Sequence, residues 1–241
     1  MRNGITSKIP MSVNMLVRSK KDIVLDHLRD NIINGISKPG ERLIIDELAT
    51  NLGVSQIPVR EALQQLHAEG FVDLQMHASA VVSDVKLSLF DEVFSLIGAT
   101  ELISARGASK LCSDEQFEQI EAMIVEMDTL IHDLDGWTIA NIRMHQYICD
   151  CAGMRLVKIT LTRAMQHWDR LRKMYANEVF AKRVKYAQKQ HWDMLKAMKA
   201  KNDAMIERAV IEHIDASKHA YSRYLELAFQ KKALAERANG A

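Results

Sequence analysis

Four side chains in the C-terminal half have the types and spacing of a metal site. Asn141 and His145 stand four residues apart, which puts both on one face of one helix. His191 and His213 fall on the two helical stretches that follow. Both have apolar neighbours that suggest inward packing: Trp192, Leu195 and Met198 for the first, Val210, Ile211 and Ile214 for the second. Three imidazoles and one amide oxygen could converge on one ion. Imidazole suits zinc, nickel, copper or iron, and three protein imidazoles with open positions is a common arrangement for zinc. The alternative is ordinary: a chain with nine His holds several that only pack or face solvent.

A second set of reactive side chains lies early in the chain, in Ser55-Gln56-Ile57-Pro58-Val59-Arg60-Glu61-Ala62-Leu63-Gln64-Gln65-Leu66. Ser55 is a good N-cap, whose hydroxyl can take an orphan backbone N–H. Pro58 falls in the first turn, where a missing N–H costs little. Val59, Ala62, Leu63 and Leu66 recur at helical spacing and make one apolar face. Gln56, Arg60 and Gln64 lie off that face and are free to bond elsewhere. A short helix with bonding side chains near its start, then Gly70 and the strand-like Phe71-Val72-Asp73-Leu74, suits the second helix of a winged helix-turn-helix.

The elements that must hold these sets follow from the pattern. Lys20 to Gly35 predicts a helix, with Ile23, Leu25, Leu28, Ile32 and Ile33 as its apolar stripe. Ile44 to Leu52 predicts the first helix of the motif, Gly53 the tight turn, and Gln56 to Ala68 the recognition helix. Phe71 to Gln75 and Ala80 to Val82 predict strands around a wing, Met76-His77-Ala78-Ser79. Near Asp84 the composition changes. Beyond it there are no convincing strands and no proline, only long helical patterns. Leu87 to Leu111 comes first. Ser113-Asp114-Glu115-Gln116 predicts a capping box opening a helix to about Leu134. Gly136 and Gly153 bracket another. Met154 to Tyr175, Glu178 to Ala200 and Asn202 to about Arg237 complete an all-helical bundle of about six helices. The expected fold is mainly α. Residues 1–83 form a basic arm and a winged helix-turn-helix domain, and residues 84–241 form a helical domain.

Composition bounds the function classes. At 241 residues, 48% hydrophobic and 26% charged, the chain reads as a soluble globular protein. No apolar run approaches the roughly 18 residues of a membrane span, and no secretory signal opens the chain, so a cytoplasmic location is expected. Its three cysteines, Cys112, Cys149 and Cys151, fit no disulfide framework. Cys149-Asp150-Cys151 could bind metal or oxidise, but buried reduced thiols are the simpler reading. The net charge of +1 does not advertise nucleic-acid binding, and residues 1–83 balance nine cations with nine acids. Distribution matters more: Arg2, Lys8, Arg18, Lys20 and Lys21 all precede the first acid, Asp22. That arm could lie along phosphates or be a solvated tail.

Several blocks together resemble a known family. Pro39-Gly40-Glu41-Arg42-Leu43, Glu47-Leu48-Ala49, Gly53-Val54-Ser55, Pro58-Val59-Arg60-Glu61-Ala62-Leu63 and Glu69-Gly70-Phe71-Val72 resemble, in order and spacing, the DNA-binding domain of GntR-family transcription regulators. The resemblance runs from about Lys20 to Val82. It implies a homodimeric repressor or activator on a pseudo-palindromic double-stranded operator. Ser55, Gln56 and Arg60 would be contacts from the helix, with Arg42 and His77 at weaker family positions. From about Leu87 to Ala220 the chain resembles the FCD-type ligand-binding domain of the FadR-like branch. Asn141 to His145, Gln190-His191-Trp192 and Glu212-His213-Ile214 match its ligand-bearing stretches. The resemblance therefore implies a divalent metal, zinc foremost and nickel next, and a small organic acid as effector.

Four departures refine these expectations. Asn141 stands where the family often has aspartate, so the site keeps the ion's full charge and favours an anionic effector. Ile97, four residues before Glu101, replaces an arginine that helps hold a carboxylate; this points away from sugar acids and dicarboxylates toward a smaller, more apolar acid. Gln56 replaces a usual arginine, and glutamine pairs with adenine where arginine most often reads guanine. Ser79 replaces the usual wing glycine. The leading expectation is a repressor released by a small carboxylate bound at the metal. Against it stand a metal-dependent enzyme, for which no general base is evident in the sequence, and a regulator whose metal is purely structural.

Overall fold

The structure is a computed structural model that describes residues 18–75 and 79–239, with side chains placed as far as residue 230. The basic arm before Arg18 and the wing residue His77 lie outside the described residues. Two compact units divide at Val85–Lys86.

In the first unit, α1 (Lys20–Ile33) starts at Ser19, whose hydroxyl accepts the Asp22 N–H at 3.1 Å. Then come β1 (Arg42–Ile44), α2 (Ile45–Leu52) and α3 (Gln56–Ala68), followed by β2 (Val72–Gln75) and β3 (Ser79–Val82). The strands form one antiparallel sheet in the order β1-β3-β2, with Arg42 opposite Val81 and Gln75 opposite Ser79. β1 leaves no mark in the sequence pattern, because three residues are too few for alternation to register. Gly53 turns the chain between α2 and α3 at φ +67°, in left-handed space where a side chain is strained. Val24, Leu28 and Ile32 of α1 pack with Val59, Leu63 and Leu66 of α3 and with Phe71, Ala80 and Val82.

One ion pair ties this core to the recognition helix. The Arg29 guanidinium donates Nε and Nη2 to the Glu69 carboxylate at 2.8–3.0 Å, and both side chains are largely buried. Removing one partner strands the other charge away from water. Arg29→Met is therefore expected to lower the stability of this unit by about 3 kcal/mol, read as lost hydrogen-exchange protection in α1 and α3. Arg29→Met with Glu69→Met should recover much of it. Equal protection in Arg29→Met and wild type would contradict the role given to the pair.

The second unit comprises α4 (Leu87–Leu111), α5 (Asp114–Thr129), α6 (Leu134–Cys151), α7 (Arg155–Leu171), α8 (Asn177–Lys199) and α9 (Asp203–Asn239). Among the described residues it contains no strand, and none of its helices is long and apolar enough to cross a membrane. α4 packs against α7 and α9, α8 against α9, and α5 against α6 and α8. The capping box at Ser113 forms: its hydroxyl accepts the Gln116 N–H, and the Gln116 side chain returns to the Ser113 N–H. That helix ends at Thr129, short of Leu134, because Asp133 already caps the next one. The Asp133 carboxylate accepts the Gly136 N–H at 3.0 Å. A Cβ at Gly136 would lie 2.3 Å from Asp133 Oδ2, so the glycine permits the start of α6. The stretch Met154 to Tyr175 is not one regular helix. A π turn over Arg172–Ala176 separates α7 from α8. There Arg172, 1% exposed, bonds Asp169, Asp135 and Asn177 and lies over the Phe180 ring.

Candidate functional site

In the first unit, α3 buries Val59, Ala62, Leu63 and Leu66 and leaves Gln56, Arg60 and Gln64 in solvent, as its period requires. Ser55 occupies the N-cap position but makes no capping hydrogen bond, contrary to expectation. The N3 residue is Pro58, which has no N–H to offer, so the hydroxyl stays available. Ile57 is 68% exposed at the start of the helix, a large apolar side chain the periodicity had not singled out. Arg42 is exposed on β1 and donates Nε to Ser79 Oγ at 3.1 Å, which ties it to the strand after the wing. Arg60 and Gln64 line a groove with Leu74, Gln75 and Ser79. The exposed turns of α3 present one arginine, two glutamines and an apolar tip, side chains of the kinds that read base edges.

In the second unit, α6, α8 and α9 bring His145, His191 and His213 together. The ring centroids of His145 and His191 are 5.4 Å apart, and those of His191 and His213 are 4.9 Å apart. Two imidazoles on one tetrahedral zinc, at Zn–N of about 2 Å, place their centroids about 5 Å apart. All three histidines are buried, and Trp137 stacks on His191 at 5.7 Å. Gln188 fixes that wall: it accepts from Trp137 Nε1 at 3.1 Å and donates to the Ile124 carbonyl at 2.7 Å. Ile211, expected to face inwards with His213, is exposed instead.

Polar atoms in this cluster are left without partners. Both ring nitrogens of His191, Nε2 of His145 and Oδ1 of Asn141 are buried and make no hydrogen bond. Such orphans are costly inside a protein unless something absent from the bare chain satisfies them. A divalent cation fits: the orphans are neutral nitrogen and oxygen donors, the ligands such an ion takes. Among the described residues, no group of three His, Cys, Asp or Glu side chains is already arranged to hold an ion, so ligation would require the side chains to turn.

Two residues missed in the sequence complete the site. Glu101 of α4, 1% exposed, places Oε1 3.4 Å from His145 Nε2, while its Oε2 has no partner. An acid not evident from the sequence therefore stands beside the histidines. Its signal was its place one helical turn after Ile97 on the buried stripe of α4. Arg183 of α8 is also buried, about two turns before His191.

Burial sets the protonation states. It holds His145 down to about 4, His213 down to about 3 and His191 well below its ordinary value, so all three are neutral at pH 7 and offer lone pairs. Burial pushes the Glu101 carboxyl up to about 8. In metal-free protein these shifts oppose each other. From the ordinary histidine value of 6.5 up to about 8, the folded chain holds the Glu101 proton that the unfolded chain has lost, so stability falls as pH rises. Below 6.5 the unfolded histidines take up protons that the folded ones refuse, so stability falls as pH drops. Stability from this site therefore peaks near pH 6.5. Glu101→Gln is expected to flatten the alkaline limb and steepen the acid one, since a carboxyl raised from 4.5 to about 8 acts over that whole window, read as melting temperature against pH in chelator; an unchanged alkaline limb would contradict the assignment. The cysteines behave as buried thiols, with burial raising Cys149 and pushing Cys112 up to about 12.

A winged helix with an exposed recognition face, joined in one chain to a helical unit with an internal polar cluster, defines a DNA-binding transcription regulator. Comparison with known families agrees. Residues 20–82 match the bacterial regulatory proteins of the gntR family, and residues 92–216 match the FCD domain. The chain belongs to the GntR family of transcription regulators that carry an FCD domain. The matched families and relatives are regulators, not enzymes. The HTH-type transcriptional repressor RspR of Escherichia coli is 24% identical over 189 residues, 78% of this chain and 82% of that one. The HTH-type transcriptional regulator Rv0043c of Mycobacterium tuberculosis is 33% identical over 91 residues, and the match spans only 37% of either chain. Among solved structures, Escherichia coli McbR/YncC aligns with TM-score 0.71 at 20% identity, over 86% of this chain and all of that one. A putative regulator from Rhodococcus sp. RHA1 aligns with TM-score 0.65 at 19% identity, over 84% and 97%. These likenesses establish the fold.

Proposed function

We propose that this regulator is a repressor, released from its operator when a small carboxylate binds a divalent metal held by Asn141, His145, His191 and His213. Zinc is the foremost candidate and nickel the next. The observation that carries the proposal is the set of buried donors without partners, on Asn141, His145 and His191, beside a cavity. A bound zinc would supply a Lewis-acidic anchor for a carboxylate oxygen. The neutral histidines leave the ion's charge undiminished, and Asn141 adds none. A carboxylate is then the natural completion of the shell. Asn141 and Glu101 face the same cavity as His213, so a bound acid touches the side chains that link α4, α6 and α9.

On the DNA side, Ser55, Gln56, Arg60 and Arg42 are the proposed contacts. A homodimer in the cytoplasm would set two recognition helices on the half-sites of a pseudo-palindrome. Effector binding would bias the dimer between two arrangements with different operator affinity. Mapping the fragments the protein binds in its own genome, at fixed salt, tests the regulator reading. A few sharp peaks over a shared pseudo-palindrome are expected. No enrichment with folded, expressed protein would overturn it.

A further inference from the structure

The cavity beside the histidines holds about 50 Å³ of internal space behind an open mouth, so a ring enters only as its wall side chains move. Its walls are strongly aromatic: Phe94, Trp137, Trp168, Phe180 and Tyr221 all line it. Trp168 sits 4.3 Å from Tyr221 and 4.9 Å from Phe94, ring centroid to centroid. Among the described residues lining it, Arg183 is the single lysine or arginine. On α4, Ile97 faces the same space with a hydrocarbon.

Arg183 is 6% exposed. Its Nη2 donates to the His213 carbonyl and to Ser217 Oγ at 3.3 Å, and to Gln190 Oε1. Those bonds hold the guanidinium in place. Its Nε and Nη1 are buried and have no acceptor. A fixed cation with open donors in an apolar cavity is a carboxylate anchor, because a buried guanidinium gains strong charge-assisted bonds from that partner. Five aromatic walls suit the flat face of a ring.

We infer that Arg183 is the specificity-determining anchor of this cavity, and that with the aromatic walls it selects an aryl monocarboxylate over dicarboxylates and sugar acids. This rests on the effector reading above and narrows it. Of the side chains that line the cavity none besides Arg183 is a lysine or arginine, and a second carboxylate would face the Glu101 carboxyl unless it reached the metal. The hydroxyls of a sugar acid would be desolvated against Phe94, Trp168 and Phe180.

The test uses full-length protein and its own fluorescence, since Trp137 and Trp168 line the cavity. The probes are benzoate and phenylacetate, their neutral amides, succinate and gluconate, each with zinc-loaded and chelator-treated protein. Wild type is expected to bind an aryl acid about tenfold or more tightly than its amide, succinate or gluconate, in both metal states. Arg183→Met should lose about tenfold or more for the acid and nothing for the amide, with Arg183→Lys between them. If both variants fail to fold, the acid-against-amide comparison in wild type decides alone. Equal binding of the acid by Arg183→Met overturns the inference, as does succinate or gluconate binding as tightly, or no aryl acid binding at millimolar concentration. A preference for the acid that survives chelation and is lost in Arg183→Met supports Arg183 as an anchor beside the metal. A preference present only with zinc overturns the role of Arg183 and leaves the metal reading intact.

Discussion

Zinc is expected to raise the melting temperature of the wild-type protein by about 5–10 °C and to leave His191→Phe unmoved. The size follows from mass action. Ligand at a hundred times its dissociation constant stabilises the folded state by about 2.7 kcal/mol, and a helical unit of this size gains roughly 2–4 °C per kcal/mol. The metal-free proteins should behave the other way. His191 buries two ring nitrogens with no partner, and phenylalanine removes both while keeping a ring against Trp137. Metal-free His191→Phe should therefore melt no lower than metal-free wild type. That crossing of effects separates a ligand from a packing residue, since a purely structural histidine would cost stability in both states. Zinc affinity itself should fall by on the order of a hundredfold or more, because losing even an outer partner of a metal ligand costs 10- to 100-fold. An equal zinc response in both proteins would remove His191 from the site.

The second large effect is on DNA. Arg60 projects from the solvent face of α3, one turn after Gln56 and one before Gln64. Arg60→Ala is expected to weaken operator binding about tenfold to a hundredfold. Loss of discrimination at one base pair would identify a base contact. Uniform weakening with a shallower salt dependence would identify a phosphate contact. Unchanged affinity would leave Arg60 as a surface residue. Gln56→Arg should shift the preferred base at its position from adenine toward guanine, read on a set of operator variants. Identical preferences in the two proteins would exclude Gln56 from readout.

How much of this was legible depended on the range of the physics involved. Periodicity is local, and it placed α3 at Gln56–Ala68 and α4 at Leu87–Leu111 without error. Capping is local too, and Ser113 with Gln116 behaves as its spacing predicts. Local signals misled where one residue serves two neighbours. Gly136 reads as the outer bracket of a helix, yet it lies inside the first turn of α6, where Asp133 folds over it. Ser55 reads as a capping hydroxyl, but Pro58 three residues on takes away the donor. The mainly α architecture followed from a change in pattern near Asp84, whereas β1 is held only by pairing with β3 across the wing.

The candidate site divides in the same way. His145, His191 and His213 were singled out by residue type and apolar surroundings, and the family resemblance grouped them. Glu101 and Arg183 were passed over because a charged residue on a helix is usually solvated. Only the meeting of α4, α6, α8 and α9 reveals that these two are buried around one cavity. Ile57 escaped notice for the opposite reason. An isoleucine is expected inside, but Ile57 falls off the face that buries Val59, Ala62, Leu63 and Leu66 and stands exposed at the start of α3.

The most direct test of the central claim is operator affinity measured by anisotropy on a mapped site, at constant salt, for zinc-loaded protein with and without saturating aryl acid. If the helical unit senses the acid and passes that to the winged helix, affinity falls by about tenfold or more, within the usual range of allosteric coupling. His191→Phe should show little of that response. The same dissociation constant with and without acid, in protein that demonstrably binds it, would contradict the claim that this cavity governs DNA binding.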